Sequence, residues 1–344
     1  AKYSFTTSSD EMAGRLFPHR MYTSRKRTCA FAALIHLSST GYSTSFPQVR
    51  GCSSIGRLVT VPTTDASRIF GRYSTREMTS SGDGSCSDFS VVQIPCLSDN
   101  YGYLIHDAQT GQTAAVDTPD FGPYDRELKK RGWKLTHILN THHHSDHTGA
   151  NLNLKKEGVT IYGPVEEKDI IPGIDVAAGA GDKVPFGNSH ADVIDVGGHT
   201  KGHIAYHFAD KNVVFVGDAL FALGCGRMFE GTPSQFWNSL QNLRALPDQT
   251  SVYCAHEYTE SNAKFAKSVE PGNAELMARI DDIADKRSRG EPTVPSKLGE
   301  EKKTNPFLRI DISEEIRQNV GAEKGDSDSD VFGKLRRAKD TFRG

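Results

Sequence analysis

Thr141-His142-His143-His144-Ser145-Asp146-His147 follows a short apolar run, residues 136–140, that reads as a β-strand. Imidazole and carboxylate are the nitrogen and oxygen ligands of borderline divalent metals. A strand that passes into a tight loop points alternate side chains at one spot, which brings His142 and His144 together. Asp146 and His147 then turn toward a second spot. One ion needs about four ligands, so these four residues already ask for two ions once other segments contribute. A solvated histidine-rich loop is the rival reading, and three segments further along the chain weigh against it. Gly198-His199-Thr200 and Gly202-His203 sit between two apolar runs; Phe215-Val216-Gly217-Asp218 and Cys254-Ala255-His256-Glu257 each end a run on a possible ligand. Strand ends are fixed by the sheet behind them, so side chains placed there hold their geometry.

Outward from this centre, residues 89–95, 101–106 and 113–117 read as strands, and 123–131 as a helix closed by Gly132. Residues 148–156 look helical, and 159–162, 191–196, 204–208, 213–216 and 253–255 read as further strands. Strands mixed with helices on this rhythm predict a layered α/β domain over 88–262. Beyond about Ala263 the strand signal stops. Asn273 caps a helix with Leu276, Ile280, Ile283 and Ala284 on one face, Gly290 ends it, and a basic tail helix starts near Val331. Residues 263–344 therefore read as a smaller helical domain. All the candidate ligands lie between His142 and His256, so the first domain alone would supply the metal site.

Residues 1–87 have another texture, with 11 Lys+Arg against 5 Asp+Glu, 16 Ser and 11 Thr. An Arg- and Ser-rich, acid-poor leader is the composition of an organelle transit peptide, and such a segment has little with which to build a core. We expect a mitochondrial address, with a plastid as the alternative, or the cytosol if translation starts at Met78. The whole chain of 344 residues carries a formal charge of −2, which gives no overall attraction to nucleic acid. Its longest apolar run, Cys29–Ile35, is far short of the roughly 20 residues that a membrane span needs. Six cysteines are too few and too scattered for a disulfide scaffold.

The pattern HxHxDH, GHT, GDxLF, HEYT resembles the metallo-β-lactamase superfamily. More narrowly the chain is similar to glyoxalase II, the hydroxyacylglutathione hydrolases. That likeness rests on Leu97-Ser98-Asp99-Asn100-Tyr101, Gly224-Cys225-Gly226-Arg227, Val269–Asn273, Asn305-Pro306-Phe307-Leu308-Arg309 and Arg336-Arg337-Ala338-Lys339-Asp340. It covers about residues 89–344. The fold it implies is an αββα sandwich with a smaller C-terminal helical domain. It implies two divalent ions, zinc with iron or manganese as alternatives. His142, His144 and His199 would hold the first and Asp146, His147 and His256 the second. Asp218 would bridge them together with a hydroxide, which makes Asp146 and Asp218 the catalytic carboxylates. The reaction implied is hydrolysis of S-(2-hydroxyacyl)glutathione thioesters, S-D-lactoylglutathione to D-lactate and glutathione, as in methylglyoxal detoxification. Arg227, Phe229, Tyr258, Arg336 and Lys339 would grip the glutathione half. The family more often carries Lys at position 227 and Tyr at 229; Arg changes the donor geometry, and Phe229 cannot donate a hydrogen bond. His143, His203 and His207 match no ligand position. The expected partner is the small-molecule thioester alone, acting on a monomer with no nucleic acid and no membrane. A persulfide dioxygenase of the same superfamily, with one iron, is the alternative enzyme. A β-lactamase, which would want a different pocket and a periplasmic context, and a silent binding module are further readings; about two ions per chain supports the hydrolase, one iron the dioxygenase and none the silent module.

Overall fold

The computed structural model describes residues 77–79 and 88–344. The rest of the leader, with its basic cluster at 25–27 and its expected targeting role, lies outside the described residues. Among those described, two sheets stack face to face. The first has seven strands in sequence order: β1 (Glu77–Thr79), β2 (Phe89–Cys96), β3 (Asn100–Asp107), β4 (Thr113–Val116), β5 (His137–Leu139), β6 (Thr160–Pro164) and β7 (Val176–Ala178). Pairing is antiparallel from β1 to β4 and parallel from β4 to β7. The second sheet contains β8 (Lys183–Phe186), β9 (Ser189–Asp195), β10 (Ile204–Phe208) and β11 (Val213–Gly217). After the short hairpin β12 (Leu220–Phe221) and β13 (Gly224–Cys225), the second sheet is completed by β14 (Ser251–Cys254) and β15 (Ser296–Lys297).

Alternation along the strands makes the layers. Phe89, Val91, Tyr103, Ile105 and Val116 face the second sheet and join one core with Val193, Tyr206, Phe208, Phe215 and Tyr253. Val92, Ile94, Leu104, Ala115 and Ile161 face the other way. They are covered by helix α1 (Phe121–Arg131) through Tyr124 and by α3 (Asn151–Leu154) through Leu154; the one-turn helix α2 (Ser145–Thr148) precedes α3. Each fully buried Val, Leu or Ile side chain among them contributes about 1.5–3 kcal/mol. Helix α4 (Pro233–Arg244) covers the outer face of the second sheet, so the order is helix, sheet, sheet, helix, the expected αββα sandwich. Both strand faces are buried, which is why these strands read as apolar runs rather than as clean alternation.

Helices α5 (Thr259–Val269), α6 (Ala274–Ser288), α7 (Leu298–Thr304), α8 (Glu314–Asn319) and α9 (Asp328–Thr341) form the C-terminal region. Asn273 caps α6 by accepting from the Leu276 N–H, and Ser327 with Asp330 forms a capping box on α9. This region is less separate than the sequence implies. Phe307, Ile310, Phe332 and Leu335 belong to the same core cluster as Phe236 and Trp237 of α4. Nor do the strands stop at Ala263, since β15 adds to β14. At the other end the first sheet begins at Glu77, inside the segment assigned to the leader; three residues pairing only by backbone leave no apolar period to read. The helix expected over 148–156 is split, because Ala150 leaves helical geometry at φ −100°, ψ 3° and donates to Thr118 O.

Candidate metal centre

The centre lies where strand ends of both sheets meet. Residues 140–144 leave β5 and turn into α2, which carries Asp146 and His147. His199 sits in the turn between β9 and β10. Gly217 ends β11 with φ +49°, a left-handed conformation that favours glycine, and swings Asp218 off the sheet. His256 follows β14, and Asn100 of β3 bridges to it across the top of the sandwich.

Three sets of ligand atoms converge, each within 4.8 Å: His142, His144 and His199; His142, His147 and Asp218; Asp146, His147 and His256. Nδ1 of His144 stands 3.0 Å from Nε2 of both His142 and His199. Asp218 lies between the histidine sets. Its Oδ2 is 3.3 Å from His199 Nε2, and its Oδ1 is 3.4 Å from Nε2 of His147 and of His256. Asp146 Oδ2 is 3.5 Å from His256 Nε2 and 3.7 Å from His147 Nε2. All seven expected ligands are thus brought together.

The outer contacts decide which ring nitrogen faces inward. Nδ1 of His147 donates to Asp117 Oδ2, Nδ1 of His256 to Asp99 Oδ1, and Nδ1 of His199 to the Arg227 carbonyl, each at 2.8 Å. With Nδ1 engaged outward, all three rings turn Nε2 toward the centre, the atom that a metal would take. His147 Nε2 and Asp218 Oδ1 are buried with no hydrogen-bond partner. Such orphaned acceptors are costly unless a cation shares them, so the donor set fits a metal centre on its own geometry. Burial holds His142 well below the usual imidazole range, and also lowers His144 and His199. His147 differs: burial pulls it down, but Asp218, Asp117 and Asp146 overcome this and push it up to about 9. Carboxylates that favour a proton there favour a cation for the same reason.

Four outer residues escaped the sequence reading as supports. Asp99 and Asn100 belong to the quoted LSDNY motif; Asn100 Nδ2 donates to Asp146 Oδ2 at 3.1 Å. Asp117 ends a recognised strand, but its partner His147 is 30 residues on. Glu167 had no local signal at all, and its contacts come only from the packing of two loops. Among the non-ligand histidines, His203 donates from Nδ1 to the Ile204 carbonyl and accepts the Asp218 N–H at Nε2, 3.1 Å each.

The centre opens into a cleft of about 540 Å³. Arg227, with 65% of its side chain exposed, and Phe229, 61% exposed, stand on one side. The Phe229 ring meets His144 and His199 edge-on, at 5.9 and 5.2 Å between centroids. Tyr258 stacks on His256 at 4.7 Å, and burial raises its phenol pKa. Lys339 donates to the Ser261 carbonyl at 2.9 Å, and burial lowers its ammonium to about 8. Arg336 borders the same cleft but is only 4% exposed. Its guanidinium donates to Cys225 O at 2.8 Å and to Asp340 Oδ1 at 3.0 Å, while Nε has no partner. The cleft cysteine, Cys225, is pushed up to about 11 by burial, which makes it inert as a nucleophile at neutral pH.

Residues 100–256 match the family model of the metallo-β-lactamase superfamily, and residues 257–342 match that of the hydroxyacylglutathione hydrolase C-terminus. The chain is 51% identical over 253 residues to the hydroxyacylglutathione hydrolase of Erythrobacter litoralis, covering 73% of this chain and 99% of that one. It is 52% identical over 255 residues to the hydroxyacylglutathione hydrolase of Methylococcus capsulatus, covering 74% and 99%. Among solved structures it resembles ETHE1 from Myxococcus xanthus, with 27% identity, a TM-score of 0.51, and coverage of 72% of this chain and 89% of that one. No helix of the described residues is long and apolar enough to cross a membrane.

Proposed function

The chain belongs to the hydroxyacylglutathione hydrolase family, and from that membership we propose that it hydrolyses S-(2-hydroxyacyl)glutathione thioesters at the His/Asp centre. It is a thioester hydrolase. Water adds at the carbonyl carbon, the C–S bond breaks, and a 2-hydroxy acid and glutathione leave. The observation that carries the reading is the convergence of seven ligand side chains, five of which line a cleft walled by Arg227, Tyr258 and Lys339.

His142, His144 and His199 would hold one divalent ion, and Asp146, His147 and His256 a second, with Asp218 shared. When bound, such a pair supplies Lewis acidity that makes water nucleophilic at neutral pH and polarises a carbonyl. Zinc suits this nitrogen and oxygen donor set, with iron or manganese as alternatives. Asp117, Asp99 and the Arg227 carbonyl keep three imidazoles oriented with Nε2 inward. Glutathione carries carboxylates, and Arg227 and Lys339 offer cations to them. Arg336 adds charge at the base of the cleft. Tyr258 and Phe229 offer ring faces to the peptide backbone. A thiolate leaves without a dedicated acid, which fits a site built from ligands and cations.

Zinc-loaded protein should hydrolyse S-D-lactoylglutathione, bind about two ions per chain, and lose activity when a chelator strips them. A protein that holds ions yet leaves the thioester intact would sink the reading. A single-iron dioxygenase finds less support, because residues 257–342 match the hydrolase C-terminus. The composition of residues 1–87 supports an organelle address; a reporter carrying that segment should enter the mitochondrion, and a diffuse cytosolic signal would reject it.

A further inference from the structure

Between the shared ligand Asp218 and the cleft residue Arg227 runs the hairpin 221–226. Two two-residue strands make too little contact to hold such a hairpin alone. Leu223 at its tip is left-handed, with φ 57°, a conformation that a side chain with Cβ resists. Something outside the hairpin holds it: Cys254 is hydrogen-bonded to the Ala222 main chain, and the other main-chain holders come from beyond residue 257. Asn305 Nδ2 donates to the Phe221 carbonyl at 3.1 Å and the Gly224 carbonyl at 3.0 Å. Asn262 Nδ2 donates to the Ala222 carbonyl at 3.1 Å. The Leu223 N–H donates to Glu301 Oε2 at 3.0 Å. Arg336 donates to the Cys225 carbonyl at 2.8 Å and the Gly226 carbonyl at 3.3 Å. Each residue from 221 to 226 is therefore held by its main chain. The Leu223 side chain is buried as well, among Ala263, Ala266, Leu276 and Ile283 of the C-terminal helices.

These holders are themselves fixed. Glu301 and Asn305 are fully buried. Arg279 pairs with Oε1 of Glu301, while Asn305 donates at 3.1 Å to Oε2, the oxygen that also takes the Leu223 N–H. Asn305 Oδ1 accepts from the Phe307 N–H at 3.0 Å, so both ends of the amide are used. The residue after the hairpin, Arg227, gives its carbonyl to His199 Nδ1 at 2.8 Å and carries its guanidinium at the cleft.

We propose that Asn305 and Glu301 are positioning residues for the metal centre and the substrate grip. Through the hairpin they hold the Arg227 carbonyl against His199, which keeps Nε2 of that ligand turned inward, and they aim the Arg227 side chain. Neither residue lines the cleft, so they act only through the segment they hold. The C-terminal region thus takes part in assembling the site that the first domain was expected to build alone. This rests on the reading of the site as a metal-dependent glutathione thioester hydrolase.

The test uses the full-length protein loaded with zinc. Asn305→Ala removes the donor to both carbonyls; Asn305→Asp keeps the cap on Phe307 and reverses the donor. Asn273→Ala, at the cap of α6, touches nothing in 221–227 and reports general loosening of the helical region. Three quantities are read: ions retained during titration with EDTA, KM for S-D-lactoylglutathione, and amide exchange at Leu223 in the unaltered protein. We expect both Asn305 variants to lose one ion at roughly tenfold lower chelator, the scale of losing support behind a ligand, and to raise KM. The Asn273 variant should match the unaltered protein in ion retention and KM. Leu223 should exchange as slowly as the cores of α5 and α6. A folded Asn305 variant with unchanged ion retention and unchanged KM overturns the proposal. So does fast exchange at Leu223, a result that stands even where no variant folds. If unaltered protein retains zinc but ignores the thioester, the enzyme reading fails, while the retention and exchange results still decide the clamp.

Discussion

Asp117 Oδ2 accepts from His147 Nδ1 at 2.8 Å, and the same carboxylate accepts from the Thr141 N–H and hydroxyl, also at 2.8 Å each. One buried acid thus ties the start of the histidine loop to a ligand in the middle of it. Asp117 pays for this with a left-handed backbone, φ 52°. Asp117→Asn puts an amide where an acceptor is needed and removes the charge that supports the imidazole. Zinc affinity should fall by about 10–100-fold. Equilibrium dialysis of the folded variant checks this; unchanged zinc retention would show that the contact only braces the loop.

Asp218→Asn should do more harm than any change at the cleft wall. Its two oxygens face His199 on one side and His147 and His256 on the other. An amide cannot offset charge between two dications roughly 3.5–4 Å apart. The variant should retain one ion in place of two, and kcat should drop by roughly a hundredfold or more, the scale of losing a preorganised charge partner. Two retained ions with most of kcat would refute the shared-ligand assignment.

Glu167 joins the two loops that carry the first set of histidines. Oε1 accepts from the Thr200 hydroxyl and from the Gly202 N–H at 3.2 Å, beside His199. Oε2 stands 2.9 Å from His143 Nδ1, out of line for a hydrogen bond yet close enough for an ion pair. The carboxylate is buried. Glu167→Ala leaves those donors unsatisfied and should cost about 1–3 kcal/mol of stability. Urea denaturation measures it; Glu167→Gln keeps one acceptor and should recover part of the loss.

How much of this was legible depends on where each signal lives. The ligands were legible because metal binding writes short-range spacing into the chain, as in His142-x-His144-x-Asp146-His147. Strands buried on both faces, such as Ile204–Phe208, announce themselves by composition. Helix α4 was readable but missed: Thr232 caps it, Pro233 opens it, and Phe236, Leu240 and Leu243 keep the helical period. Short edge strands such as Val176–Ala178 have no such pattern, since backbone pairing alone defines them. The roles of Glu167 and Asn305 were out of reach, although Asn305 lies in a quoted motif, because partners such as Thr200 and Phe221 lie 33 and 84 residues away and only packing brings them together. The resemblance placed Arg336 at the substrate; the structure shows a guanidinium whose Nη1 donates to two hairpin carbonyls and whose Nη2 donates to Asp340, a division that spacing on a helix cannot reveal.

Lys339 gives the centre's cleft a pH dependence of its own. Burial, then the neighbouring Arg336 charge, lowers its ammonium from 10.5 to about 8. A lysine pKa lowered by folding means that the folded state disfavours the charged form. That penalty is full below about pH 8 and fades as the pH rises toward 10.5. Substrate binding runs the opposite way, because a carboxylate of glutathione gains from the ammonium and not from the amine. With a pKa of about 8, the charged fraction falls from about nine tenths at pH 7 to about one tenth at pH 9. The plot of kcat/KM against pH should therefore carry a falling limb near pH 8. Lys339→Met should lower kcat/KM at pH 7 and remove that limb. Lys339→Arg stays charged throughout, so it should hold its kcat/KM from pH 7 to 9. KM should carry these changes while kcat moves little, since the C–S bond breaks at the metal centre and not at α9. A limb that survives in the Met variant belongs to another group, and Lys339 then serves only to dock α9 onto Ser261.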